Sequence, residues 1–210
     1  MNTKKYLPLA ATAVAGAIAL AGCGSSGNSG TSPSMPDMHH GSSSASSAPS
    51  SGNTAGDHNS ADTMFARMMI PHHAQAVEMS DIMLAKQDVP AAVIDLAERI
   101  KAAQGPEIEK MTGWLQSWNE SATMSAGGHG GHGMEGMMTD ADLQKLRDAQ
   151  GTEAARLFLT QMIAHHEGAV SMARDETTHG TNPEAVQLSK DIVASQEKEI
   201  QEMKDLLAGL

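Results

Sequence analysis

The sequence is short of cysteine, aromatics and basic side chains. Its one cysteine, Cys23, allows no disulfide within the chain, so an exported form must draw stability from a packed core or a bound ion. Aromatics make up 2% of the residues and β-branched runs are absent, which removes the usual material of a sandwich or barrel. The 14 Lys and Arg stand against 25 Asp and Glu, for a formal charge of −11. That balance disfavours nucleic acid as a partner and favours solubility or the attraction of cations. There is no Gly-x-Ser-x-Gly, no phosphate loop and no second thiol, so no nucleophile constellation marks the chain as an enzyme. The apolar run from Leu7 to Leu20 is too short for an ordinary membrane span.

What is present begins with an export signal. Lys4 and Lys5 precede that apolar run, and "LAGC" resembles a bacterial lipobox with Cys23 as its lipidated residue. Residues 1–22 are therefore expected to be a lipoprotein signal peptide, with the mature chain anchored to the outer face of a bacterial membrane. Residues 23–60 are dominated by Ser and Gly without apolar periodicity, the composition of a disordered tether. Within it Met35, Met38, His39 and His40 form either a chance cluster or an accessory metal-catching patch.

From Ala61 onward the chain is rich in helix formers and repeats itself. Phe65, Met69, Ile70, His72-His73, Ala76-Val77, Met79 and Pro90 recur at one spacing as Phe158, Met162, Ile163, His165-His166, Ala169-Val170, Met172 and Pro183. One residue is then lost, after which Ile100, Gln104, Glu107, Ile108, Met111 and Leu115 pair with Ile192, Gln196, Glu199, Ile200, Met203 and Leu207. Each half reads as helix, short connection, helix. Pro90 and Pro183 suit the first position of their helices, and Asn182 suits a cap. The expected fold is all-α: a four-helix bundle over residues 61–210, built from hairpins at about 61–119 and 141–210. Gly105-Pro106 should kink the second helix.

At about 100° per residue, Phe65, Met69, His72, Ala76, Met79 and Met83 share one stripe, with His73 on its shoulder. Phe158, Met162, His165, Ala169 and Met172 do the same in the other half. Both members of each His pair thus fall within the arc that faces the core. The connector 121–140 adds Met124, His129, His132, Met134, Met137 and Met138, as a second accessible metal patch or simply a loose crossover.

Buried imidazoles need partners for two ring nitrogens each, and four of them concentrate that cost. Met68 and His72, Met69 and His73, Met79 and Met83, and Met162 and His166 are each four residues apart, so each couple can face one point. Thioether sulfur is a soft donor and imidazole a borderline one, a mixture that selects Cu(I) and tolerates Cu(II). Hard ions would demand oxygen. Methionine stripes alone could be core filler; 16 Met and 10 His with a single Cys read better as copper ligands. Met111 and Met203 are possible additions on the other two helices.

The blocks "FARMMIPHHAQAVEMS" and "FLTQMIAHHEGAVSMA" resemble the doubled signature of the bacterial family called domain of unknown function 305. The resemblance covers about residues 61–210. It implies a ferritin-like four-helix bundle, and copper binding in support of copper tolerance as in some exported members. It carries to Met69, His72, His73, Met79, Met162, His165, His166 and Met172. Met83 departs from the doubled pattern because its counterpart is Glu176, and Pro71 is replaced by Ala164 in the second block.

Three functions follow as expectations. The first is a lipid-anchored protein that sequesters copper or exchanges it with a donor or acceptor protein. The second, a di-iron oxidoreductase, needs inward carboxylates and repeated Glu-x-x-His motifs; the sole one, Glu176 to His179, lies near a turn. The third is a metal-free structural or partner-binding bundle, with Trp114 and Trp118 as either a contact surface or core caps. Glu107 and Glu199, among Glu109, Lys110 and Lys198, are expected on a solvated face.

Overall fold

The computed structural model describes residues 57–123 and 135–210, and these form an all-α bundle. Helix α1 spans Ser60–Leu84, α2 Ala91–Ser117, α3 Asp140–Asp148, α4 Gly151–His179 and α5 Pro183–Gly209. The four long helices make the two hairpins. Helix α3 is an addition that the sequence left inside the second hairpin. Thr139 and Asp142 form its capping box, and Leu143 and Leu146 bury its one apolar face. Two apolar residues in so short a segment are too few to show a period.

The ends of the long helices follow from their caps. Asn59 Oδ1 accepts from the N–H groups of Ala61 and Asp62 at 2.7 and 3.1 Å, and Asp62 accepts in return from Asn59 N–H at 2.6 Å. Asn182 Oδ1 accepts from Glu184 and Ala185 N–H, and Pro183 takes the first position of α5. Pro90 instead stands at the cap, one residue before α2. Helix α2 runs without interruption through Pro106. Pro106 and Ala102, whose carbonyl loses its donor, are both exposed, so water can serve that carbonyl.

Helix α1 packs mainly on α2, and α4 on α5; the hairpins meet chiefly through α1 against α4. The buried apolar side chains form two clusters. One holds Ala76, Met79, Met83, Ile100, Phe158, Met162 and Met203, joined by Leu143 and Leu146 of α3. The other holds Phe65, Met69, Met111, Trp114, Leu115, Trp118, Ala169 and Ile192. Each fully buried side chain of this size contributes about 1.5–3 kcal/mol. Trp114 and Trp118 stack with ring centroids 5.9 Å apart and belong to this core. Among the described residues no helix is long and apolar enough to cross a membrane.

Candidate metal centre

Every long helix leaves one cluster and joins the other across a short polar stretch. On α1 this is His72 and His73, between Met69 and Ala76; on α4 it is His165 and His166, between Met162 and Ala169. On α2 Gln104 and Glu107 lie between Ile100 and Met111, and on α5 Gln196 and Glu199 lie between Ile192 and Met203. The repeat thus builds one polar layer across the bundle, half from each hairpin. None of the four imidazoles is more than 1% exposed.

The layer has an internal pattern. The rings of His72 and His165 meet with centroids 3.8 Å apart, tilted by 42°. His73 Nε2–H donates to Glu107 Oε2 at 2.7 Å, and His166 Nε2–H donates to Glu199 Oε2 at the same distance. In a neutral ring this leaves the lone pair on Nδ1. His72 Nε2–H donates to the Glu135 carbonyl at 3.3 Å.

The Nδ1 atoms of all four histidines, Nε2 of His165 and Oε1 of both Gln104 and Gln196 are buried without a hydrogen-bond partner. Each such atom costs about 1–3 kcal/mol. Burial, reinforced by repulsion from His73, pushes the His72 pKa down to about 3; burial and repulsion from His72 push that of His165 down to about 2. Both rings therefore stay neutral through ordinary pH and keep lone pairs for a Lewis acid.

Glu107 and Glu199 are the residues that sequence reasoning misplaced. Their side chains are 23% and 19% exposed, and each carboxylate holds a buried ring instead of lying on a solvated face. The signal was their equivalence in the repeat, three residues after an equally matched Gln; neighbouring lysines masked it. Glu176, the counterpart of Met83, is buried against Asp62. Burial, then the hydrogen bond and charge of Asp62, push its pKa up to about 8.

The end of the connector docks on this layer. Gly136, at φ +80°, passes so close to α4 that a Cβ on it would meet the Ala164 carbonyl at 2.6 Å, and one on Gly168 would meet the Glu135 carbonyl at 2.2 Å. Glycine at both places permits backbone to lie on backbone. Gln75 clamps the segment, donating to Met138 O at 2.9 Å and accepting from Met138 N–H at 2.7 Å. Met137 and Met138 are half-buried there.

The thioethers do not gather at one point. Met69 flanks the layer on one side and Met162 on the other; Met79, Met83 and Met203 join Met162's cluster, and Met111 joins Met69's. Met68 and Met172 are half-buried and line a separate cleft. Cys23, Met35, Met38, His39, His40, Met124, His129, His132 and Met134 lie outside the described residues. Among the described residues no three His, Cys, Asp or Glu side chains are grouped to hold an ion.

The family model described as Domain of unknown function (DUF305) matches residues 62–207, which span α1 to α5. The chain belongs to the DUF305 family. A DUF305 protein of Streptomyces coelicolor, whose name classes it among secreted proteins, is 40% identical with a TM-score of 0.67, over 71% of this chain and 91% of its own. A DUF305 fragment from Deinococcus radiodurans is 30% identical with a TM-score of 0.65, over 72% of this chain and 98% of its own. CopM in its Cu(I)-bound form is 34% identical with a TM-score of 0.59, over 70% of this chain and 96% of its own. CopM has also been solved in Cu(II)-bound and silver-bound forms. No curated protein sequence matches the chain.

Proposed function

We propose that this DUF305 protein is a copper carrier that binds Cu(I) foremost in the polar layer and sequesters it or passes it to a partner protein. The observation that carries the reading is the set of four buried, unpartnered Nδ1 atoms at the junction of two methionine-containing clusters. Unpaired imidazole nitrogens in an apolar core are costly unless a Lewis acid takes their lone pairs. His72 and His165 supply the adjacent nitrogen donors, and Met69 and Met162 are the nearest thioethers along the same helices. Nitrogen with sulfur favours Cu(I) and admits Cu(II). Glu107 and Glu199 orient His73 and His166 from behind, the usual role of a carboxylate beside a metal-binding imidazole.

The copper-bound and silver-bound forms of CopM support this choice of ion. A di-iron reading fits less well, since such a centre uses four carboxylates and the layer contains two, each bonded to a histidine. We read the chain as a binder and not as an enzyme. The signal peptide, lipidated Cys23 and tether belong to the same reading and would hold the bundle outside the cytoplasmic membrane. The test is competition for Cu(I) between the purified bundle and a chelator of known affinity. His72→Leu with His165→Leu should fold, by circular dichroism, and lose at least tenfold in affinity; unchanged affinity in the folded variant would overturn the reading.

A further inference from the structure

A second group of soft donors stands apart from the layer. Met64 and Met68 of α1 and Met172 and His179 of α4 line a surface cleft of about 310 Å³, together with Ala61, Phe65, Asp175 and Glu176. Phe65 is 4% exposed and belongs to the core cluster next to the cleft. Met64 is 47% exposed and is the one large hydrophobic residue so exposed among the described residues. A thioether left in water does little for packing, so core filling does not account for it.

Register reinforces the point. Met64 and Met68 are four residues apart on one face of α1, and Met172 and His179 are seven apart on one face of α4, so both pairs address the same cleft. His179 Nδ1–H donates to the Asp175 carbonyl at 3.0 Å, which in the neutral ring leaves Nε2 with the lone pair. Asp175 adds a carboxylate at the rim. The repeat does not require this arrangement: the positions equivalent to Met64, Met68 and His179 are Leu157, Gln161 and Lys86. At that opposite end the Lys86 ammonium donates to the carbonyls of Arg147 and Ala149 at 2.9 and 2.6 Å. One end of the bundle thus uses its own cation where the other collects sulfur.

We propose that the cleft formed by Met64, Met68, Met172 and His179 is a separate, solvent-reachable site for a soft monovalent cation, Cu(I) or Ag(I). Three sulfurs and one nitrogen form a donor set that favours such ions, and Asp175 with the protonated Glu176 supplies too few oxygens for Mg²⁺ or Ca²⁺. Its exposure suits rapid exchange, whereas the polar layer is enclosed. The site stands on its own residues and does not depend on the layer binding copper.

Ag(I), which has no competing redox chemistry, is the probe. The full exported chain, labelled with ¹³C at its methionine methyls, is titrated with Ag(I) and followed by NMR alongside the histidine ring signals. The Met64, Met68 and Met172 methyls should shift together. The variant Met64→Leu, Met68→Leu, His179→Ala should bind one equivalent fewer, with the same folded spectrum elsewhere. If these methyls stay still, or the variant binds as many equivalents as the parent, the proposal falls. A response in the cleft with silent His72 and His165 rings would support this site while removing the reading of the layer; the reverse would remove this site alone.

Discussion

The rings of His72 and His165 touch across the interface between the two hairpins, one from each copy of the repeat. Neither has a full set of hydrogen bonds. An apolar residue of similar bulk at both positions removes unpaired polar atoms, a change that is neutral or stabilising for folding. His72→Leu with His165→Leu should therefore leave the metal-free melting temperature unchanged or raised, while the rise in melting temperature on adding Cu(I) disappears. Calorimetry with and without the ion checks both halves.

Glu107 and Glu199 act on His73 and His166 and not on the central pair. Glu107→Gln or Glu199→Gln keeps the shape and removes the charge that orients the ring. The expected loss is about 10–100-fold in Cu(I) affinity, the range seen when such supporting groups are altered. Chelator competition measures it, and a fully retained affinity would place both carboxylates outside the metal's influence.

Packing and ligation by methionine separate cleanly with leucine. Met69→Leu and Met162→Leu nearly conserve volume and should cost less than about 1.5 kcal/mol in the metal-free protein. If the sulfurs are ligands, Cu(I) affinity nevertheless drops, because leucine offers no lone pair. Unfolding in denaturant and metal competition on the same variants give the two numbers.

Gly168 and Gly136 bring the connector's backbone against α4. Gly168→Ala drives a Cβ into the Glu135 carbonyl, which also accepts from His72. The variant should lose about 1–3 kcal/mol as an overpacked site does, and the His72 ring signal should move while that of His166 stays in place.

Folded Glu176 keeps its proton up to about pH 8, whereas an ordinary glutamate releases it near 4.5. Between those values the unfolded chain binds fewer protons, so this group's contribution to stability falls as pH rises from about 4.5 to 8 and is level beyond. Gln at this position does not titrate and can still donate to Asp62. Glu176→Gln should raise the melting temperature relative to the parent at pH 8 and change it less at pH 5.

The duplicated blocks made the long helices and the inward histidines legible, because Phe65, Met69 and His72 share a period with Phe158, Met162 and His165. The polar layer was only half visible. Gln104 and Gln196 had matched in the repeat without suggesting a role, since a polar residue on a helix usually faces water and nothing local shows that it is enclosed. Periodicity places residues on a face but not at a height, so the separation of Met69 from Met162 to opposite sides of the layer needed the antiparallel packing of α1 on α4. The cleft at Met64 and His179 depends on two helices ending side by side, a relation with no trace in either segment alone.

The eight polar side chains that cross the bundle also fix how its halves can fit. Sliding α1 by one turn along α4 would part the rings of His72 and His165 and push imidazoles into hydrocarbon, while Glu107 and Glu199 would stay with the histidines of their own hairpins. The docking height of the hairpins is thus set by matching polar rings across the seam, a register that apolar side chains above and below would not enforce by themselves.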